Sequence, residues 1–402
     1  MRFIYTVTVI VLLTTFISWL NHRLLSRLFP FYRAKIIKYG YSLMTLITIF
    51  VVGYGFAKRP PFSTIENQVD HYWAYGALDW LFGQLILFSF QPLIYVAHRF
   101  IRGKTQAAVK NSNSSTTGMT RRDFLHNTLA VAPVVAIGIS TNGIYEAQTN
   151  MILQRYSLSM PDLPSNLNGF KIGQISDTHL GPYFDLSKLD TAIKLLAQEK
   201  PDIVVITGDF ADDLNLLKPA IDRFNKLEPS IPHGIYFCLG NHDYFRDITM
   251  VRAELNKSRI KNLENESILL VPGERPFYLL GVEYPWASNN AQSGINVSVS
   301  RRQQNFAAAN QNVPSNAFKV LIAHHPDALI DGFAAQIPLT ITGHTHGGQV
   351  VIGGKSLLSN YAYMRGLYQE NGVYGYVSSG TGHWFPLRIG CPAEVSLFTL
   401  QG

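Results

Sequence analysis

Several apolar, strand-like runs in this chain stop abruptly at residues that bind metals or carry protons, and this recurrence limits fold and chemistry more than any other feature. The run Ile235, Tyr236, Phe237, Cys238, Leu239 ends in Gly240-Asn241-His242-Asp243. Short apolar runs of this kind read as buried strands, and open α/β sheets collect their chemistry at the carboxyl ends of strands. The pattern recurs: residues 170–176 lead into Asp177-x-His179, 203–207 into Gly208-Asp209, 318–323 into His324 and His325, and 337–342 into Gly343-His344-Thr345-His346. Asp carboxylates, Asn carbonyls and His imidazoles form an oxygen and nitrogen set suited to Mn, Fe or Zn. No Cys stands at these ends, which argues against a structural zinc knot. A lone His among the 12 present reads as a surface or satisfied core residue. His179, His242, His324, His344 and His346 reverse that weighting because each arrives with partners of the same kind, whereas His126, His233 and His383 do not, although His383 lies in a glycine-rich tail.

In this order, and from residue 170 to the C-terminus, the chain resembles the calcineurin-like metallophosphoesterases. GHTHGGQ at 343–349 and YVSSGTGHWFPLRIGCPAEV at 376–395 are similar to the branch of YkuE- and YaeI-type phosphohydrolases. The resemblance implies two divalent cations (Mn, Fe or Zn), with Asp177, His179 and His346 on one, Asn241, His324 and His344 on the other, and Asp209 bridging them. His325 points away from a ligand at 324 if the backbone stays extended, so it falls outside the set. The resemblance also gives His242 the protonation of the leaving oxygen and Asp212, in Gly208-Asp209-Phe210-Ala211-Asp212, the orientation of that histidine. Asp213 stands where the family's protein phosphatases carry an arginine that grips phosphate, a departure that disfavours phosphoprotein monoesters and leaves phosphodiesters or pyrophosphates. Arg365 and Arg388 are candidate phosphate contacts, weighed equally against ordinary surface arginines.

Helix-like stretches alternate with the strand-like runs. Residues 186–198 place Leu186, Leu189, Ile193, Leu196 and Ala197 near a 3.6-residue period, and 216–227 and 248–258 continue the pattern. Periodicity alone establishes an α/β fold. The resemblance implies the specific one, an α/β sandwich of two packed mixed β-sheets flanked by helices. Residues 288–317, rich in Asn, Gln and Ser, read as an insertion or a partly helical flap.

The front of the chain has a different character. Of the 402 residues 47% are hydrophobic and 15% charged, and the apolar excess gathers at 3–20, 39–57 and 77–97, the last interrupted by Asp79. Each stretch approaches the roughly 20 apolar residues that cross a bilayer. A fourth, at 125–144, follows Thr120-Arg121-Arg122-Asp123-Phe124-Leu125, which resembles a twin-arginine export signal. Arg23, Arg27, Arg33, Lys35 and Lys38 follow the first stretch, and Arg99, Arg102, Lys104, Lys110, Arg121 and Arg122 precede the fourth. The positive-inside rule puts both loops in the cytoplasm, and with four spans the C-terminal domain lies outside. These anchors account for the net charge of +7, and no nucleic-acid module is recognisable.

The expected organisation is a three-helix membrane region at 1–103, a polar linker with the twin-arginine-like motif and a fourth apolar helix at 104–150, and a metallophosphoesterase domain at 151–402. Such a chain is expected to be a membrane-anchored, metal-dependent phosphohydrolase on the extracytoplasmic face of a bacterial inner membrane. Its substrate is expected to be a phosphorylated small molecule or a lipid-linked phosphodiester or pyrophosphate. The competing readings are a UDP-2,3-diacylglucosamine pyrophosphatase-like enzyme with a cytoplasmic site and a non-catalytic metal-binding membrane module.

Overall fold

The computed structural model describes residues 2–58, 68–103, 121–287, 297–357 and 361–402. The linker expected at 104–120 and the first part of the 288–317 region lie outside these residues. The described chain divides into two compact units, one ending at Ile144 and the other running from Tyr145 to Gly402.

The first unit is helical: α1 (Arg2–Leu28), α2 (Lys35–Lys58), α3 (Gln68–Gly103), α4 (Arg121–Ala130) and most of α5 (Ala132–Thr149), whose last turn belongs to the second unit. Among the described residues three segments, Thr8–Leu28, Lys35–Gly55 and Asp70–Ile101, are long and apolar enough to cross a membrane, and α4 with α5, bent by 44°, pass the same test as a pair. Leu12, Phe16, Trp19, Leu46 and Phe50 point outward, as a lipid-facing surface requires. Polar side chains turn inward: the Asn21 amide donates to the Gln84 backbone and side-chain oxygens at 2.8 and 2.9 Å, and the Ser18 and Thr45 hydroxyls lie 2.7 Å apart. Between membrane helices such contacts act as glue worth about 0.6–2 kcal/mol each.

The second unit is a sandwich of two six-stranded sheets. The first contains β1 (Met151–Ser159), β2 (Lys171–Ile175), β3 (Ile203–Ile206), β4 (Ile235–Phe237) and β5 (Lys261–Asn262). The second contains β6 (Glu266–Val271), β7 (Phe277–Val282), β8 (Phe318–Ala323), β9 (Leu339–Thr342), β12 (Gly366–Glu370) and β13 (Val373–Val377); β10 (Val351–Ile352) and β11 (Lys355–Ser356) pair separately. The last strand, β14 (Ala393–Gln401), returns to the first sheet between β1 and β2, giving the order β1-β14-β2-β3-β4-β5 against β12-β13-β9-β8-β7-β6. Both sheets are mixed, with β2, β3, β4 and β5 parallel, β7, β8 and β9 parallel, and β14 antiparallel to β2.

Strand alternation explains the layering. Val204 and Ile206 of β3 face α6 (Leu186–Ala197) and α7 (Leu217–Leu227), packing with Leu189, Leu196, Ile221 and Phe224, while Ile203 and Val205 face the other sheet. There they meet Leu279, Val320, Ile322, Leu339 and Ile341, and Cys238 fills this core as a small apolar residue. Both cysteines are free and buried. α8 (Asn241–Asn256) follows β4, and the described part of the 288–317 region forms α9 (Val299–Asn310), which covers the second sheet with α10 (Ala328–Ala334). The result is helix, sheet, sheet, helix, the α/β sandwich expected.

Parallel register then aligns the strand ends. Ile175 pairs with Ile206 and Ile206 with Phe237 in one sheet, and Ile322 pairs with Ile341 in the other. The residues that follow these strands are therefore delivered to one rim. Phe398 anchors the intersheet core, its ring 5.7 Å from Tyr156 and 4.9 Å from Tyr376. Phe398→Ala is expected to destabilise the sandwich by about 3–5 kcal/mol, read as a lower melting temperature of the purified chain.

Candidate metal centre

The rim residues adopt a backbone that side chains other than glycine seldom take. Asp177, His179, Asp209, His344 and His346 have φ between 46° and 73°. Each such residue costs of order 1 kcal/mol or more and persists only where the surroundings hold it. Here the loops hold one another. The Asp177 amide donates to the Gly208 carbonyl at 3.1 Å and the His179 amide to the Asp209 carbonyl at 3.0 Å. The His344 amide donates to both Asp177 carboxylate oxygens at 3.0 Å. Asp243 accepts from the amides of Asp209, Phe210 and Gly240 at 2.8–3.1 Å, and Asp209 Oδ1 accepts from the His242 amide at 2.7 Å. Two glycines are dictated by this closeness: a Cβ at Gly240 would strike the Asp209 carboxylate and amide, and one at Gly343 would strike Ser176 Oγ and Asp177 Oδ2.

Two clusters result. In the first, His179 Nε2 and His346 Nε2 face each other at 3.0 Å, with Asp177 Oδ1 at 3.6 Å from the latter. In the second, His324 Nε2 lies 3.1 Å from both His344 Nδ1 and Asn241 Oδ1. Asp209 Oδ2 faces both, 3.5 Å from His179 Nε2 and 3.2 Å from His324 Nε2. One oxygen of Asp209 therefore looks toward both groups, because the other is held by the His242 amide.

Hydrogen bonds behind the rings fix which nitrogen turns inward. His324 Nδ1 bonds the Thr207 carbonyl at 2.7 Å, His179 Nδ1 bonds Asp212 Oδ2 at 3.1 Å, and His344 Nε2 bonds the Tyr361 hydroxyl at 3.0 Å. This leaves Nε2, Nε2 and Nδ1 for the centre, the arrangement of ligating histidines backed by an outer shell. Burial holds His344 and His346 well below the ordinary imidazole range, with the neighbouring histidine in each case adding to the effect. The neutral rings of His344 and His346, one in each cluster beside carboxylates and a second histidine, fit a divalent cation in each cluster. The groups Asp177, His179, His346 and Asp209, His324, His344 each converge closely enough to hold one, as do His179, Asp209 and His242.

His242 stands beside these groups, with Nδ1 on Asp212 Oδ1 at 2.9 Å and Nε2 remaining. Asp212 is buried; burial raises its pKa, but His179 and His242 outweigh that and hold it well below the usual carboxylate range. Phe245 and the half-exposed Trp384 flank the His242 ring at 5.5 and 6.2 Å.

Both tail arginines named as candidate phosphate contacts donate to backbone carbonyls. Arg388 is 1% exposed and donates to the carbonyls of Ser379, Gly380, Gly382, Cys391 and Pro392, so its charge supports the loop behind His346 and has no path to a substrate. Arg365 donates to the Gly390 carbonyl at 3.0 Å. His325 accepts from the Asp327 amide at 3.2 Å, and burial beside His324 pushes it down to about 3. His383 is buried against Gln148, its Nε2 at 3.2 Å from the amide nitrogen. Sequence reasoning passed over Asp243 as a tie between loops, Arg246, whose Nη2 lies 2.7 Å from Asp212 Oδ1, and Tyr361. Arg246 carried a local signal, one helical turn after His242. Tyr361 carried none.

Residues 170–348 match the calcineurin-like phosphoesterase family model. The metallophosphoesterase YkuE of Bacillus subtilis (strain 168) is 28% identical over 298 residues, covering 70% of this chain and 98% of its own length. The bovine transmembrane protein with metallophosphoesterase domain is 27% identical over 289 residues, covering 68% of this chain and 63% of its own. A Helicobacter pylori (strain J99) metallophosphoesterase is 27% identical, covering 70% and 72%. This chain thus spans less than two thirds of the bovine protein. Residues 170–348 thus match a calcineurin-like phosphoesterase domain, and the proteins this chain is similar to include YkuE-type and transmembrane metallophosphoesterases.

Burial disfavours a charged His324, but the carboxylates of Asp209 and Asp177 outweigh it and push its pKa up to about 9. Near neutral pH the metal-free protein therefore carries a proton that a cation must displace, and affinity for the cation rises as pH approaches about 9. Calorimetric titration with Mn²⁺ in two buffers of different ionisation enthalpy is expected to give different apparent heats; equal heats would refute the linkage.

Proposed function

We propose that this chain is a membrane-anchored phosphohydrolase that uses two divalent cations (Mn, Fe or Zn) to hydrolyse a phosphodiester or pyrophosphate, with a lipid or lipid-linked substrate favoured. The carrying observation is Asp209 Oδ2, which faces histidines of both clusters. Asp177, His179 and His346 would hold one cation and Asn241, His324 and His344 the other, with Asp209 shared. Bound cations would supply Lewis acidity, drawing charge from phosphoryl oxygens and lowering the pKa of water. The chain's own groups do the rest. Asp212 holds His242 through Nδ1, which presents Nε2 to the leaving oxygen as a proton donor. The loop hydrogen bonds keep these groups in place before substrate arrives, so little reorganisation accompanies reaction.

Substrate class is supported by what is missing from the motif's next position. Asp213 accepts from the Asn215 amide and side chain at 3.0 and 2.9 Å, capping a short turn, where a phosphate-gripping arginine would favour monoester dianions. The extracytoplasmic orientation is supported by three apolar segments, by the α4–α5 pair as a fourth, and by the basic loops between them. The twin-arginine-like motif at 120–125 agrees with that side. Covalent attachment to the spans keeps the domain near a bilayer, where lipid phosphates are concentrated. The bend between α4 and α5 favours a second reading: if that pair turns back without crossing, three spans leave a cytoplasmic site, as a UDP-2,3-diacylglucosamine pyrophosphatase-like enzyme requires.

The purified full chain with Mn²⁺ is expected to cleave bis(4-nitrophenyl) phosphate faster than 4-nitrophenyl phosphate, with activity lost on chelation and reduced at least about 10³-fold in Asp209→Asn. Metal binding without cleavage of either ester would favour the non-catalytic module. Alkaline phosphatase fused after Gly402 is expected to be active; a fusion that is inactive while a fluorescent one is bright would move the site to the cytoplasm.

A further inference from the structure

Asp212 is almost fully buried, with 4% of its side chain exposed, and its two oxygens are filled unequally. Oδ2 receives His179 Nδ1 at 3.1 Å. Oδ1 receives His242 Nδ1 at 2.9 Å together with Arg246 Nε at 3.0 Å and Nη2 at 2.7 Å. Each carboxylate oxygen has about two lone-pair sites, so Oδ1 is fully taken by its three donors while Oδ2 meets one. Arg246 therefore binds the oxygen that holds His242 and leaves the oxygen that holds His179 alone. Its side chain is itself 15% exposed, so the pair is shielded enough for geometry and charge to matter more than at an open surface.

The backbone couples the same two residues. His242 and Arg246 stand four apart on the first turns of α8, on one face, and the helix breaks immediately afterwards at Asp247, whose φ and ψ are −157° and 93°. His242, Arg246 and the carboxylate between them thus form one short rigid unit. Arg246 Nη2 also lies 3.3 Å from His242 Nδ1, against the same edge of the ring.

Resting on the two-cation phosphohydrolase reading, we propose that Arg246 is a positioning residue for leaving-group protonation: it locks Asp212 Oδ1 so that His242 presents Nε2–H to the departing oxygen. In that step the phosphorus–oxygen bond to the leaving group breaks, the attacking water oxygen bonds phosphorus and loses a proton to solvent, and the His242 Nε2 proton ends on the leaving oxygen. Solvent then returns a proton to Nε2. A guanidinium achieves the lock because two of its N–H groups reach one oxygen in a fixed plane, which an ammonium does not reproduce.

A proton donor matters most when the leaving group is poor. The discriminating experiment compares bis(4-nitrophenyl) phosphate, with a good leaving group, and diphenyl phosphate, with a poorer one, on the full chain loaded with Mn²⁺. Arg246→Met retains the aliphatic stem and removes the charge, and Arg246→Lys restores charge with a different donor geometry. General acid catalysis contributes roughly 10²–10⁴-fold. Arg246→Met is accordingly expected to raise the nitrophenyl-to-phenyl ratio of kcat by about tenfold or more, with KM little changed and Mn²⁺ stoichiometry by calorimetry unaltered, and Arg246→Lys to recover part of the ratio. Equal losses on both esters, or a lost Mn²⁺, would make Arg246 a structural residue and overturn the proposal. A wild type that binds Mn²⁺ but cleaves neither ester would overturn the phosphohydrolase reading, and this role with it.

Discussion

One carboxylate oxygen, Asp209 Oδ2, meets histidines carried by two different sheets, and the rest of the second unit is arranged so that it can. Asp177, His179 and Asp209 follow strands of the first sheet, and His324, His344 and His346 follow strands of the second. The site exists only where the sheets pack face to face with their strand ends level. The apolar layer of Ile203, Val205, Tyr236, Cys238, Val320, Ile322 and Ile341 is therefore more than ballast: its packing sets the separation of the ligand groups. Interiors this close-packed transmit small displacements, so a core substitution is felt at the rim.

The same requirement explains the strained backbone. Strands that ran straight past the rim would keep residues i and i+2 on one face but about 6.6 Å apart along the chain. Left-handed turns at Asp177, His179, Asp209, His344 and His346 instead fold the chain back so that both members of Asp177-x-His179 and of His344-x-His346 reach the centre. Strain of this kind is retained where surrounding contacts over-determine the backbone. Asp243 supplies three of those contacts, and the glycines at 240 and 343 let the loops approach closely enough to make them.

What could be read from the sequence follows from this construction. The candidate ligand residues sit immediately after short apolar strands, so each is marked locally, and five such marks stand in order along the sequence. The α/β alternation and the apolar spans were legible for the same reason, since periodicity and length are local properties. Contacts between distant segments were not. Nothing near β14 announces that it inserts between β1 and β2, and nothing near Tyr361 announces its bond to His344. Arg388 misled because a charged residue in a glycine-rich tail resembles an anion contact, yet five backbone carbonyls enclose it. Arg246 stands one helical turn after His242, but its bond to Asp212 spans 34 residues, so only the structure brings the two together.

In the proposed centre both clusters share Asp209. Electron paramagnetic resonance during Mn²⁺ titration of the metal-free full chain tests this directly. At two equivalents the signal of isolated Mn²⁺ should give way to the broad spectrum of an exchange-coupled pair, and Asp209→Asn should abolish the coupling. A signal of isolated Mn²⁺ that merely grows with the second equivalent, or saturation at one, would contradict a shared two-cation site.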